Sequence, residues 1–338
     1  VTINRLLQRF GPALDETMRA VVARAADERG FRTMIEYALG WVETDGTPYR
    51  QATGKRIRPL IVLLCAEASG GDWRTALPAA AAVELLHNFS LIHDDIQDAS
   101  PTRHGRPTVW KVWGTANAIN AGDAMFSLAY CALARLSDDG LPEARILKAW
   151  HLFNTTNLEL TRGQHLDMAF ESTQSVDKDA YLSMITGKSA ALIAASAQLG
   201  ALVATGDVTL SEKFHDFGLN VGIAFQIRDD ILGIWGEPDV TGKSAAIDIL
   251  ARKKSLPVLI GLERSATLTQ TYRKSAFTSD DVEGVLRELE AVDARSATEA
   301  MEAAYFGRAI AALQTLDLAR PSGTELSELA HLLLGRSA

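Results

Sequence analysis

The run Ala79–Asp98, AAAAVELLHNFSLIHDDIQD, decides the fold class, because its polar and apolar residues recur with helical period. Asp94 and Asp98 stand four residues apart and therefore share a helix face, one turn from each other. Tracing that face backwards gives Ser90 and His87, while Leu85, Leu86, Phe89, Leu91 and Ile92 keep the rest of the run apolar. A polar stripe on a greasy helix is expected to face a wet cavity inside the protein. Three carboxylates crowded there (Asp94, Asp95, Asp98) repel one another unless a cation neutralises them. Mg²⁺ suits such a place, since it takes one or two carboxylates and completes its shell with water and phosphate oxygens. The bland alternative is a solvated acidic helix end, and DDxxD by itself does not separate the two.

Outward from that run, almost every segment reads with helical period. Long Ala/Leu-rich stretches alternate with short breaks at Thr44–Gly54, Ser69–Asp72, Ala99–Pro107, Ser172–Asp179, Gly236–Gly242 and Arg320–Gly323. No alternating strand of useful length and no fixed repeat appears. None of the breaks has the composition of a flexible linker, so the expectation is one all-α domain over 1–338, a bundle of about ten or more helices. The N-terminal twenty residues form an amphipathic helix pattern with no signal-peptide apolar region, and Asp15 and Glu16 speak against a transit peptide.

Composition narrows the function classes. The 338 residues are 47% hydrophobic and 22% charged, ordinary globular values. With 34 Lys and Arg against 42 Asp and Glu, the net charge of −8 argues against a nucleic-acid binder. Cys65 and Cys131 lie in apolar helical runs and read as small buried hydrophobes in a reducing compartment. No HxxxH pair occurs among the seven histidines, so zinc has no support. Ala190–Thr205, interrupted by Ser196, Gln198 and Gly200, reads as a buried helix rather than a membrane span.

A second carboxylate pair, Asp229-Asp230, also ends an apolar helical run, with Gln226 three and four residues before it on the same side. Asp280-Asp281 is a decoy: it follows Thr278-Ser279 and opens a helix, where first-turn acids complement the dipole. Basic residues alternate with the acidic ones. Lys55, Arg56 and Arg58 crowd a turn before a helix, and Arg103 and Arg106 follow the first acidic motif. Lys188 sits within an apolar stretch, and Lys243, Lys253 and Lys254 follow the second motif. Each alone reads as a solvated charge; together with Mg²⁺ they are what binding a diphosphate demands. The segment Gly236–Ser244 is no P-loop, having five residues between its glycines and a helix before it.

Taken together, the chain resembles the trans-isoprenyl diphosphate synthase (polyprenyl synthetase) family. The carrying segments are GKRIRP at Gly54–Pro59, HNFSLIHDDIQD at His87–Asp98, RHGRPT at Arg103–Thr108 and AGDAMF at Ala121–Phe126. They continue with GQHLD at Gly163–Asp167, TGKSA at Thr186–Ala190, FQIRDD at Phe225–Asp230 and GKSAAIDILARKKSLP at Gly242–Pro257. The resemblance implies a chain-elongating prenyltransferase on the all-α isoprenoid-synthase fold with a deep central cavity, in the cytoplasm, usually as a homodimer. It implies Mg²⁺, three ions with substrate bound, held by Asp94, Asp98 and Asp229. Arg103, Lys188 and Lys243 would clamp the allylic diphosphate, with Lys253 close by. Lys55, Arg58 and His87 would hold isopentenyl diphosphate. The Gln226 carbonyl and the backbone at Lys188-Ser189 would face the allylic cation left by the departing diphosphate.

Two departures from the family pattern stand out. Gly233 occupies the place where many members carry a third Asp, and His104 replaces the second Arg of an Arg-Arg pair that helps hold isopentenyl diphosphate. Product length rests on the residues before Asp94. Small Ser90, fourth back, lets a chain pass, whereas bulky Phe89, fifth back, resembles the floor of synthases making C20 or C15 diphosphates; Leu86 and Val83 are further floor candidates. Two rivals remain, a class I terpene cyclase and a non-catalytic partner subunit. Lys55 and Arg58 beside His87 argue against the first, and the intact Asp94, Asp98, Asp229, Lys188 and Gln226 against the second.

Overall fold

The computed structural model describes residues 2–25, 28–49, 54–138, 140–173, 175–236, 247–274, 276–319 and 321–335. In chain order the first elements are α1 (Ile3–Ala25), α2 (Arg29–Ala38), α3 (Ile57–Ala68), α4 (Leu77–Gln97), β1 (Thr102–Arg103) and β2 (Arg106–Pro107). Next come α5 (Val109–Trp113), α6 (Thr115–Ala134), α7 (Glu143–Ser172), α8 (Lys178–Ile185), α9 (Ala191–Thr205) and α10 (Val208–Trp235). The remaining helices are α11 (Ile247–Leu250), α12 (Leu256–Arg264), α13 (Ala266–Thr271), α14 (Ser279–Ala291), α15 (Ala294–Gln314) and α16 (Ser322–Leu333). The architecture is all-α, as the periodicity predicts. Among the described residues the sheet is confined to the hairpin β1–β2, with Thr102 opposite Pro107 and Arg103 opposite Arg106, and an isolated bridge between Val42 and Pro48.

The chain divides into two compact units. Unit 1 comprises Val1–Phe153, Ser196–Glu212 and Asp317–Leu329; α1 to α6 supply most of it. Its first helix buries Leu6, Phe10, Leu14, Met18 and Val21, the amphipathic spacing read from the sequence. Each such side chain contributes roughly 2 kcal/mol when fully buried. On α4, Ala79–Leu86 is buried throughout, so this helix is a core element until its polar end. Unit 2 comprises Asn154–Ala195, Lys213–Leu316 and Ala330–Ala338. Its core gathers Tyr181, Ile185, Ile223, Ile227, Ile231 and Leu259 from α8, α10 and α12.

Two stretches, Trp73–Gln97 and Lys178–Thr205, have the length and hydropathy of a membrane span, but 61% and 72% of their apolar windows are buried inside the protein. That is how core helices pass the same test, in keeping with the reading of Ala190–Thr205. The Asp280-Asp281 pair also behaves as expected: Thr278 caps α14 by accepting from the Asp281 amide, and the Asp281 carboxylate accepts from the Thr278 amide, a capping box. One expectation fails. Cys65 is buried, but Cys131 is exposed, because on α6 the core face runs through Met125, Leu128, Ala129, Ala132 and Leu133, and residue 131 falls opposite it. The structure also has a break between α6 and α7 that the sequence reading does not place, where Gly140 adopts a φ of 71°.

Candidate active site

In unit 1 the polar end of α4 is built as its spacing implies. The Asp98 amide donates to the Asp94 carbonyl at 2.9 Å, so the two residues lie one helical turn apart. Between them, Asp95 is turned inward and buried. Arg103 reaches all the way to this end: its Nε donates to Asp95 Oδ1 at 2.8 Å and its Nη2 to Asp94 Oδ2 at 3.2 Å. Burial pushes the Asp95 carboxyl up to about 6, against the opposing pull of the Arg103 guanidinium. Arg103 is aimed by the hairpin, whose two central residues, His104 and Gly105, both have positive φ, at 51° and 76°. That is the two-residue turn that matches strand twist, and it leaves the His104 side chain at the exposed tip. Partial burial and the neighbouring Arg103 charge lower the His104 pKa, which favours neutral imidazole where the family pattern has a permanent cation.

The second cationic cluster divides its labour. Arg56, the left-handed residue before α3, forms an ion pair with Asp15 of α1 and so serves the fold. Arg58 Nη1 lies 3.1 Å from His87 Nε2. Guanidinium can only donate, so Nε2 accepts and the His87 proton sits on Nδ1. Burial, then the charges of Arg58 and Arg103, hold the His87 pKa well below its ordinary value. Lys55 is exposed just ahead of α3. Arg106, by contrast, is structural: its guanidinium lies 4.0 Å from the Tyr37 ring centroid and 4.1 Å from that of Tyr49, and donates to the Val42 carbonyl at 2.7 Å.

Along α4 from the acidic end, the Ser90 hydroxyl donates to the His87 carbonyl at 2.7 Å. The Phe89 ring is half-buried, edge-on to His93 at 4.8 Å and 5.2 Å from Phe126 on α6. Phe126 in turn meets Tyr130 at 5.0 Å, and Tyr130 meets Phe153 at 5.2 Å. This row of rings is invisible in the α4 sequence, since it comes from residues 126, 130 and 153; AGDAMF carries its first member without any sign of what that member touches.

In unit 2, Asp229 is exposed on α10 while Asp230 is buried, 4% exposed. Asp230 Oδ2 accepts from the Tyr181 hydroxyl at 2.6 Å and the Leu256 amide at 2.8 Å, and Oδ1 accepts from Gln226 Nε2 at 3.2 Å. Burial raises the Asp230 pKa, with Lys253 and these donors pulling the other way. Gln226 Oε1 accepts from Ser189 Oγ at 2.5 Å. Ser189 and Lys188 lie in a π-helical turn, Thr186–Ala190, a form that recurs at functional sites. Lys188 pairs with Asp167 of α7, the last residue of the GQHLD segment and one that no local spacing ties to Lys188. The turn rests on Gly163 of α7, where an added Cβ would collide with the Lys188 backbone nitrogen. Lys253 is exposed after α11, and Lys254 donates to the Phe170 carbonyl at 2.6 Å. Lys243 lies outside the described residues. At Gly233, an added Cβ would collide with Asp248 Oδ2, so an acid of α11 occupies the space beside the missing third Asp.

Among the described residues no three His, Cys, Asp or Glu side chains converge as a preformed metal cage. The donor set fits Mg²⁺ nonetheless: Asp94 and Asp98 offer one or two carboxylate oxygens from a single helix face, and this ion fills its remaining positions with water and substrate phosphate rather than with protein.

The polyprenyl synthetase family model matches residues 41–289. The chain is 37% identical to a (2E,6E)-farnesyl diphosphate synthase of Mycobacterium tuberculosis over 99% of its own length and 96% of that protein. It is 41% identical to a geranylgeranyl diphosphate synthase of the same species over 81% of this chain and 80% of that one. Among solved structures it resembles a polyprenyl synthetase from Streptomyces coelicolor A3(2) with a TM-score of 0.88 and 33% identity, covering 98% of this chain and all of that one. With the motifs in order, the all-helical fold and this coverage, the chain belongs to the polyprenyl synthetase family.

Proposed function

We propose that the protein is a chain-elongating trans-prenyltransferase that joins isopentenyl diphosphate head-to-tail to an allylic diphosphate, releasing geranylgeranyl (C20) or farnesyl (C15) diphosphate. The observation that carries this reading is the end of α4, where Asp94 and Asp98 stand one turn apart and Arg103 donates to Asp94 and to Asp95 between them, in a chain matched by the family model across both units. On this reading the two units act as one domain.

Asp94, Asp98 and Asp229 would hold Mg²⁺, which when bound stabilises the charge that develops on a departing diphosphate. Arg103, Lys188 and Lys243 bind the same group. Arg103 is already turned toward the acids, so binding the diphosphate shifts its guanidinium between two anionic partners rather than out of water. Lys55 and Arg58 hold the second diphosphate, with neutral His87 fixing the Arg58 fork by accepting one of its protons in a hydrogen bond. Gln226 Oε1 and the backbone carbonyls of the Lys188–Ser189 turn present negative dipole ends to the allylic cation. The isopentenyl double bond then attacks that cation, and the proton lost from the adduct goes to the released diphosphate. Water must be excluded, or it would capture the cation. Phe89, backed by Phe126, sets the floor for the growing chain.

The homodimer is part of the same proposal. It is supported by Ile119 on α6, 43% exposed, and Leu147 and Leu158 on α7, 70% and 63% exposed, the last two spaced by three turns of one helix. The cytoplasm is the proposed compartment.

The test is the substrate requirement for diphosphate release in the presence of Mg²⁺. Release that requires isopentenyl diphosphate and an allylic diphosphate together, and is abolished by chelating the metal, is expected. Release from the allylic substrate alone, with hydrocarbon or alcohol products, would favour a cyclase instead.

A further inference from the structure

In each of the two acidic pairs the second Asp is the buried one, 6% exposed for Asp95 and 4% for Asp230. Asp95 meets a guanidinium, whereas Asp230 accepts from neutral donors on three different helices: the Tyr181 hydroxyl on α8, the Leu256 amide at the start of α12 and the Gln226 amide one turn back on α10. The last of these has a chemical consequence. A side-chain amide is nearly symmetric in shape, so packing hardly distinguishes its two orientations, and hydrogen bonding must choose. A carboxylate oxygen offers only lone pairs, so Gln226 turns its NH₂ to Asp230 Oδ1. Its carbonyl oxygen is thereby committed to the other side, where Ser189 Oγ donates to it at 2.5 Å.

We propose that Asp230 is a positioning residue for the reaction: through its bond to Gln226 Nε2 it locks the Gln226 amide with the carbonyl oxygen on the Ser189 side, the orientation that offers a negative rather than a positive dipole end to an allylic cation. The inference rests on the prenyltransferase reading above. In the flipped amide, two N–H groups would face the cation, turning a stabilising dipole into a repulsive one. A preorganised dipole aimed at developing charge is typically worth about 100-fold or more in kcat.

Asp230→Asn isolates this role. The new amide's oxygen can still accept from Tyr181 and Leu256, so the ties among α8, α10 and α12 persist. Its NH₂, however, meets the NH₂ of Gln226 and drives that amide to flip. The expected result is a kcat about 100-fold lower, with both KM values within about threefold of wild type and little change in melting temperature. Tyr181→Phe removes a donor without touching Gln226 and is expected to lower the melting temperature while keeping kcat within about threefold. In a Gln226→Ala background the Asp230→Asn change should have no further effect on kcat, because the amide it controls is gone.

Combining Gln226→Glu with Asp230→Asn restores the donor–acceptor order. The amide introduced at position 230 donates to the carboxylate introduced at position 226, and that carboxylate still accepts from Ser189. This exchange should recover kcat to within about tenfold of wild type. An Asp230→Asn variant with wild-type kcat, or one whose loss is the same in the Gln226→Ala background, would overturn the proposal. If Asp230→Asn alone fails to fold, the exchanged pair decides: a pair that folds with recovered turnover supports the proposal, and one that is inactive or unfolded overturns it. Wild-type turnover is the control that separates the two levels, since a wild-type protein that elongates nothing contradicts the prenyltransferase reading itself.

Discussion

At the scale of residues, a charge's position in the sequence says which helix face it takes, but not whether that face is covered. Asp94 and Asp98 are legible because four-residue spacing fixes their common face. Asp95 and Asp230 are not, since apart from Gln226, four residues before Asp230, their partners come from 8 residues away in Arg103 and from 49 and 26 residues away in Tyr181 and Leu256. The same holds for Gly233, whose missing carboxylate is answered by Asp248 of α11. Phe89 is legible as a bulky residue below the acidic end, whereas its backing by Phe126 is not. Phe89→Ala is expected to lengthen the main product by one or more C5 units, read by mass spectrometry of the diphosphates; an unchanged product would mean that the ring only packs in the core.

His87 gives a pH prediction at this scale. Its folded pKa lies well below the ordinary 6.5, so as pH falls the unfolded chain takes up the proton first. The stabilisation is therefore complete above about pH 6.5 and is lost progressively as pH drops from there toward the lowered folded value, by at most about 1.4 kcal/mol per pH unit. His87→Gln keeps an acceptor for Arg58 and removes the titration. The melting temperature of the variant should fall less steeply than wild type below about pH 6.5, and identical slopes would refute the assignment.

At the scale of elements, helical periodicity places most of the chain, and the breaks after Ala68 and Ser172 fall where Gly, Ser and Asp interrupt it, while α2 ends at Ala38, ahead of the break expected from Thr44. Besides the break at Gly140, two features escape the periodicity. The π turn at Thr186–Ala190 has no local signature beyond Gly187, because it exists to seat one helix on another: Gly163 of α7 lies against the Lys188 backbone with no room for a side chain. Cys131 escapes for a different reason, since an apolar run on α6 has two faces and composition alone does not say which is covered. Gly163→Ala is expected to lower stability by about 1–3 kcal/mol through overpacking. It should also reduce kcat, because the displaced segment carries Lys188 and Ser189. A thermal melt together with turnover checks both; loss of stability alone would detach the turn from the chemistry.

At the scale of the whole molecule, the sequence carries the fold class, the family and the first member of each acidic pair, while the proposed homodimer rests on surfaces whose meaning depends on a second copy. Leu147 and Leu158 are large apolar side chains held out toward solvent on α7. Wild type is expected to sediment as a dimer and a Leu147→Glu, Leu158→Glu variant as a monomer, and a wild-type monomer would contradict the proposed homodimer. Chain lengthening itself is measured by giving the wild-type enzyme Mg²⁺, farnesyl diphosphate or a shorter allylic diphosphate, and carbon-13-labelled isopentenyl diphosphate. Mass spectrometry should find allylic diphosphates, ending at C20 or C15, that carry one labelled C5 unit for each condensation. Unlabelled products, or cyclic hydrocarbons in place of a longer diphosphate, would contradict it.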